Sequence, residues 1–142
     1  MAHFLFNLVG QQRERAAEFV RAGLWGVDAG EPHRNALAAG DLVLIYLGAP
    51  EWAFIGRAQL ASAVHEWERS EAQAYPGDSS SGVSLAHVED WDPPVLIDAV
   101  LSRLDPAEGA KADFQNGVVR ITAHEYETTL AAAAARAPSS RR

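Results

Sequence analysis

The sequence predicts a single α+β domain built on a compact, largely antiparallel sheet. Three observations carry this. Short runs of branched and aromatic residues, such as Leu42 to Leu47, are closed off by Gly, Asp or Pro, the pattern of strands joined by turns. Segments with helical spacing lie between those runs. No period of 20 to 50 residues recurs, which excludes solenoids and propellers. With 142 residues, 48% of them hydrophobic and 22% charged, the chain is long and apolar enough for one core. The expected organisation is one domain over residues 1–134 and a flexible C-terminal tail over 135–142.

The elements are justified in chain order. His3 to Val9 is rich in aromatic and branched residues and reads as an opening strand. Gln11 to Ala22 has helical spacing, with Ala16, Ala17, Phe19 and Val20 on one side and Arg13, Glu14, Glu18 and Arg21 on the other. Gly23 stops that helix. Leu24-Trp25-Gly26-Val27 follows, then a loop from Asp28 to His33, an exposed place for a tryptophan. Asn35 to Ala39 reads as one or two helical turns, and Gly40-Asp41 turns the chain into the strand Leu42 to Leu47. After a turn at residues 48–51, Trp52 to Ala63 is the return strand, with Gly56 a bulge or close-approach point. The polar stretch from Glu66 ends in a loop at Tyr75 to Gly82. Val83 to Val88 alternates as a strand, Asp92-Pro93-Pro94 interrupts it, and Val95 to Leu104 is helical. Gly117 to Ile121 is a closing strand, and Thr122 with Glu125 forms a capping box for a last helix running into the alanines at 131–135.

Composition narrows the function. There is no cysteine, which excludes a disulfide framework, a Cys-based zinc site and a thiol nucleophile, and fits a reducing compartment. The start of the sequence has neither a basic stretch nor a long apolar region, and the longest apolar run falls far below the roughly 18 residues of a membrane span. A cytoplasmic protein without membrane partners is expected. The net charge of −7 is uneven, −2 over residues 1–69 and −5 over residues 70–142. That balance opposes tight, sequence-independent binding of polyphosphate, which draws its free energy from basic side chains releasing counterions.

Sites of familiar chemistry are missing. Of His3, His33, His65, His87 and His124, no two stand three or four residues apart as ligands on one helical turn would, so neither a metal nor another cofactor is expected. Ser79-Ser80-Ser81 lacks the context of an activated serine, and neither GxSxG, a Walker A motif nor GxGxxG occurs. The acids Glu66 and Glu68, or Glu89, Asp90 and Asp92, read as solvated faces. No catalytic residue is assigned. What stands out is aromatic residues at turns: Trp25, Trp52 with Phe54, and Tyr75 before a proline, as a stacking pocket for a flat ligand would have. Taken singly, Trp25, Trp67 and Trp91 read as core or rim-packing residues, and convergence on one cavity is what would make a site. Asn35 is open to two readings, a cap for the turn at 35–39 or an amide presented to the edge of a base.

Taken as a set, Leu24-Trp25-Gly26-Val27, Asn35, the strand Gly40-Asp41-Leu42-Val43-Leu44-Ile45-Tyr46 and Phe54-Ile55-Gly56 resemble the EVE domain, a PUA-like fold related to the YTH domain. Val83-Ser84-Leu85, Pro94-Val95 and Gly117 to Thr122 extend the resemblance over residues 3–130. The resemblance implies a small, curved, mostly antiparallel β-barrel flanked by helices. It also implies a non-enzymatic module that accepts a nucleobase, often modified, from single-stranded or flipped-out DNA or RNA in an aromatic-lined pocket. By that analogy Trp25 stacks on the base, Gly26 and Val27 form the pocket edge, Asn35 and Asn7 supply polar contacts, and Trp52, Phe54 and Tyr75 are further wall candidates. The acidity, and the acids of Asp28-Ala29-Gly30-Glu31 directly after the tryptophan, depart from the basic surface expected of a strand binder. The alternative is a small-molecule or nucleoside sensor, or a protein-interaction module, on the same fold. A third reading, a hydrolase, would require an acid such as Asp41 or Glu66 facing the aromatic pocket.

Overall fold

A computed structural model of the chain describes residues 1–8, 13–31, 33–48, 51–104 and 117–135. The strands are β1 (His3–Leu8), β2 (Leu24–Gly26), β3 (Leu42–Leu47), β4 (Ala53–Leu60), β5 (His65–Glu66), β6 (Ser81–Leu96) and β7 (Val118–Ile121). The helices are α1 (Arg13–Ala22), α2 (Arg69–Ala74), α3 (Ile97–Leu101) and α4 (Ala123–Ala135), with a 3₁₀ turn at Arg34–Ala36. All strands join one sheet in the order β2-β6-β4-β3-β1-β7, with β5 also pairing β6. Every pairing is antiparallel except β1 with β3.

Alternation along the strands sorts side chains to two faces, each with its own core. On one face Phe4, Phe6, Val43, Ile45 and Ile55 pack with Ala16 and Phe19 of α1. On the other, Leu5, Leu44, Tyr46, Phe54 and Trp91 pack with Val100 of α3 and with Tyr126, Ala132 and Ala133 of α4. Ala17, expected on the apolar side of α1, is exposed, so that helix buries a narrower stripe than its spacing predicts. Burial pushes the Tyr46 phenol up to about 12, with a smaller contribution from the Asp98 carboxylate, so it stays protonated inside the second core.

Most element boundaries follow local chemistry. Gly23 ends α1 at φ 71°, its N–H bonded to the Val20 carbonyl. The capping box of α4 forms as the spacing predicts: Thr122 Oγ1 accepts the Glu125 N–H at 2.9 Å and Glu125 Oε1 accepts the Thr122 N–H at 2.8 Å. The register of β3 on β4 shifts between Ile45 and Tyr46, beside Gly56, and a Cβ at Gly56 would collide with the Glu89 carbonyl.

Three expectations are corrected. Leu24 to Gly26 is a strand paired with Val83 and its neighbours rather than a loop, and Trp25 is 4% exposed. The polar segment after His65 contains β5 and α2; Glu71 Oε1 accepts the Glu68 N–H at 2.9 Å, a helix start whose signal lies in two acids rather than in apolar spacing. The strand beginning at Ser81 continues through Asp92-Pro93-Pro94 to Leu96, because the ladder to β4 jumps from Phe54–Val95 to Gly56–Asp90 and leaves residues 91–94 bulged out of it. The expected turn at 48–51 lies partly outside the described residues, and so does the expected tail of 135–142, of which only Ala135, the last residue of α4, is described.

Candidate functional site

The first core is open at one end. There, α1 presents Phe19 and β2 presents Trp25, and the segment after α2 folds back to lay Tyr75 over them. Rings follow one another in a row: Trp67 to Tyr75 at 5.2 Å between centroids, Tyr75 to Phe19 at 5.2 Å and an interplanar angle of 13°, Phe19 to Trp25 at 5.4 Å edge-on, and Trp25 to Phe6 at 5.4 Å. A cleft of about 370 Å³ lies against this row, with Phe19, Trp25 and Tyr75 among its walls. That volume lies in the range of small-molecule sites, roughly 300–1,000 Å³.

Bare backbone makes the room. A Cβ at Gly26 would collide with the Tyr75 hydroxyl and stand 2.6 Å from Ser79 Oγ, and one at Gly77 would stand 2.8 Å from the Tyr75 ring. Both positions are therefore filled by the neighbouring side chain that shapes the cleft. The far rim is polar. Asp28, Glu31, Asp78 and Ser79 line it, Ser79 Oγ donating to Asp28 Oδ1 at 2.8 Å and the Val118 N–H donating to Glu31 Oε1 at 3.2 Å. Neither Lys, Arg nor His stands among the described lining residues.

The wall bearing Tyr75 is anchored from below. The Trp67 indole N–H donates to the Ser79 carbonyl at 2.9 Å, and His65 Nε2 meets both carboxylate oxygens of Glu71, at 2.9 and 3.0 Å. The Ala63 carbonyl on Nδ1 and the Glu71 carboxylate hold the His65 pKa above the usual imidazole value. The Glu68 N–H and the His65 ring in turn hold Glu71 below the usual carboxylate value.

Of the residues singled out from sequence, Trp25, Gly26, Tyr75 and Asn7 line this cleft. Asn7 stands at the end of β1, and alternation puts its side chain on the same face as Leu5, next to its registered partner Tyr46. The other four are placed elsewhere. Val27 is buried behind the edge, its N–H donating to the Ser81 carbonyl at 2.9 Å. Asn35 is exposed inside the 3₁₀ turn, whose N-cap is His33. Phe54 is fully buried in the second core, 4.8 Å from Tyr46. Trp52, 39% exposed at φ 49°, precedes β4. The acids considered for a hydrolase are also elsewhere: Asp41 is buried, accepting the N–H groups of Ala2 and Ala38, and Glu66 is exposed. Phe19, Asp78 and Gly117 were not singled out from sequence. Phe19 read as an ordinary core position of α1, and its stacking on Tyr75 depends on a fold-back that no local pattern encodes. Among the described residues no group of three His, Asp or Glu is placed to hold a metal, and no helix is long and apolar enough to cross a membrane.

No family model and no curated protein matches the chain. Solved structures do. A protein from Agrobacterium tumefaciens matches with a TM-score of 0.63 and 19% identity, over 100% of both chains. The YTH domain of the Zygosaccharomyces rouxii MRB1 protein, solved in complex with N6-methyladenosine RNA, matches with a TM-score of 0.63 and 16% identity over 92% of this chain and 86% of that one. A variant of the ASCH protein of Zymomonas mobilis matches with a TM-score of 0.60 and 13% identity over 92% and 95%. The chain thus has the α+β fold of YTH and PUA-like proteins, a mixed, curled half-barrel sheet flanked by helices.

Proposed function

We propose that this chain is a non-enzymatic module of the EVE type that accepts a nucleobase, in modified form, in the cleft between α1, β2 and the loop after α2. The observation that carries the reading is the convergence of Trp25, Phe19 and Tyr75 on one opening of about 370 Å³. The YTH domain of the same fold, solved with N6-methyladenosine RNA, adds support by analogy. A base entering this cleft meets aromatic surface on one side and hydrogen-bonding groups on the other, an arrangement suited to an extruded or single-stranded nucleotide. Stacking of that kind contributes about 1–3 kcal/mol per base, which makes a modest binder.

The absence of enzymatic function belongs to the same proposal. Ser79 is paired with a carboxylate, and no imidazole stands among the described lining residues to take its proton.

A second reading, a nucleoside or small-molecule sensor, is favoured by one observation: the rim carboxylates and the net charge of −7 oppose a long phosphate backbone. The test is binding of modified and unmodified nucleosides and short single strands at two salt concentrations. The controls are Trp25→Phe and Tyr75→Ala rather than Trp25→Ala, because Trp25 packs on Phe6 and Phe19 and its truncation would damage the core. Saturable binding of a modified base, weakened by Tyr75→Ala, supports the module. Binding of nucleosides but not strands, insensitive to salt, selects the sensor. No binding at millimolar ligand by the folded wild type overturns both.

A further inference from the structure

We infer that the cleft selects a positively charged heterocycle, such as a nucleobase methylated on a ring nitrogen so that it carries a cation, over its neutral isomers. This rests on the proposed base-binding role of the cleft and goes beyond it by fixing the charge of the ligand.

The cleft combines two groups of residues that attract the same kind of molecule. The first is the aromatic wall. Phe19, Trp25 and Tyr75 border the cleft, Phe19 and Tyr75 stacked face to face on each other, and an aromatic ring face attracts a cation, most strongly for indole. The second is the rim, where Asp28, Glu31 and Asp78 enter the same opening. The carboxylates of Asp28 and Glu31 are held in place, Asp28 by the Ser79 hydroxyl and Glu31 by the Val118 amide. A cation therefore meets fixed partners and does not have to gather mobile ones.

No cation supplied by the protein offsets these charges at the described lining. Arg34 is not among the lining residues; its guanidinium donates to Ser81 Oγ at 3.0 Å. A cleft lined by one sign of charge against low-dielectric walls concentrates ions of the opposite sign. A neutral base gains stacking and hydrogen bonds without the charge attraction, and an anionic one is repelled.

The experiment uses two methyl isomers that differ in charge because one of them takes up a proton. 1-Methyladenosine is cationic at pH 6.5, and N6-methyladenosine is neutral. Affinities are measured by titration calorimetry with the full chain. 1-Methylquinolinium serves as a flat cation that is not a nucleoside.

The expected result is that 1-methyladenosine binds about tenfold more tightly than its isomer. In a variant carrying Asp28→Asn and Glu31→Gln the ratio falls toward one, because the amide oxygens still accept from Ser79 and Val118 while two of the three rim charges are gone and only Asp78 keeps its own. Equal affinities in the wild type overturn the inference and leave the base-binding proposal standing. Binding of 1-methylquinolinium with neither nucleoside bound supports the cation preference and overturns the nucleobase reading. Failure of all three to bind the folded protein overturns both.

Discussion

The two faces of the sheet each bury a tryptophan, and they use it differently. Trp91 is 2% exposed, in the core covered by α3 and α4, with its indole N–H donating to Glu89 Oε1 at 2.7 Å. Trp25 is almost as buried, at 4%, yet one part of it forms the wall of a cleft. Burial alone does not distinguish a packing tryptophan from one placed to meet a ligand. Neighbours do: Trp25 shares its cleft with two further aromatic rings, Phe19 and Tyr75, whereas the opening beside Trp91 is lined by Arg57, Glu89, Asp90 and the aliphatic Leu130, Ala133 and Ala134.

The largest effect expected from breaking this comparison is Trp91→Ala, which removes one of the largest buried side chains of the second core and costs about 3–5 kcal/mol of stability. Urea unfolding measures it, and ligand affinity of the remaining folded protein stays at the wild-type level. Gly26→Ala is next. Its Cβ must displace Tyr75 and Ser79, an overpacking cost of about 1–3 kcal/mol, together with a loss of affinity for any cleft ligand. This variant sharpens the contrast, because it damages binding more than stability, the reverse of Trp91→Ala. Thr122→Ala, on the helix covering the other face, removes the cap of α4 and costs about 1 kcal/mol without touching the cleft.

The smallest effect concerns His65 and Glu71, beneath the Tyr75 wall. A histidine whose folded pKa is raised stabilises fully below its ordinary value, and that contribution is lost as pH rises through the raised one. A glutamate whose folded pKa is lowered stabilises above its ordinary value and loses this as pH falls through the lowered one. The pair is therefore strongest between about pH 4.5 and 6.5. Both side chains are partly exposed, which limits the contribution to less than about 1 kcal/mol. Thermal unfolding at pH 6 and pH 8.5 should show a lower midpoint at the higher pH, and His65→Gln should remove that difference.

The parts of the fold legible in the sequence are those where the signal is local. The unbroken apolar run Leu42 to Leu47 between turn residues, the spacing of Thr122 and Glu125, and the stop at Gly23 each specify their element without help from distant residues. Trp25 was misplaced because two residues between two glycines look like a loop, and only the pairing with Gly82, Val83 and Ser84 makes them part of a strand. The long β6 was cut short because prolines deny a ladder their N–H, a rule that residues bulged out of the ladder do not have to obey. The cleft follows the same division. Trp25, Gly26 and Tyr75 carried a sequence signal as aromatics and breakers at turns, whereas Phe19 and Asp78 become neighbours of the opening only through long-range packing.

The pairing of β1 with β7 bears on how the molecule is made. Residues 3–6 find their partners at 118–121, and the cleft borders both segments through Asn7, Leu8 and Val118. As the ribosome extends the chain, the first strand must wait for more than a hundred residues before its outer edge is covered. Contacts of such sequence separation place folding toward the slow end, roughly milliseconds to seconds, and leave that edge open to wrong partners meanwhile. The cleft cannot exist as an early intermediate; it arises together with the completed sheet.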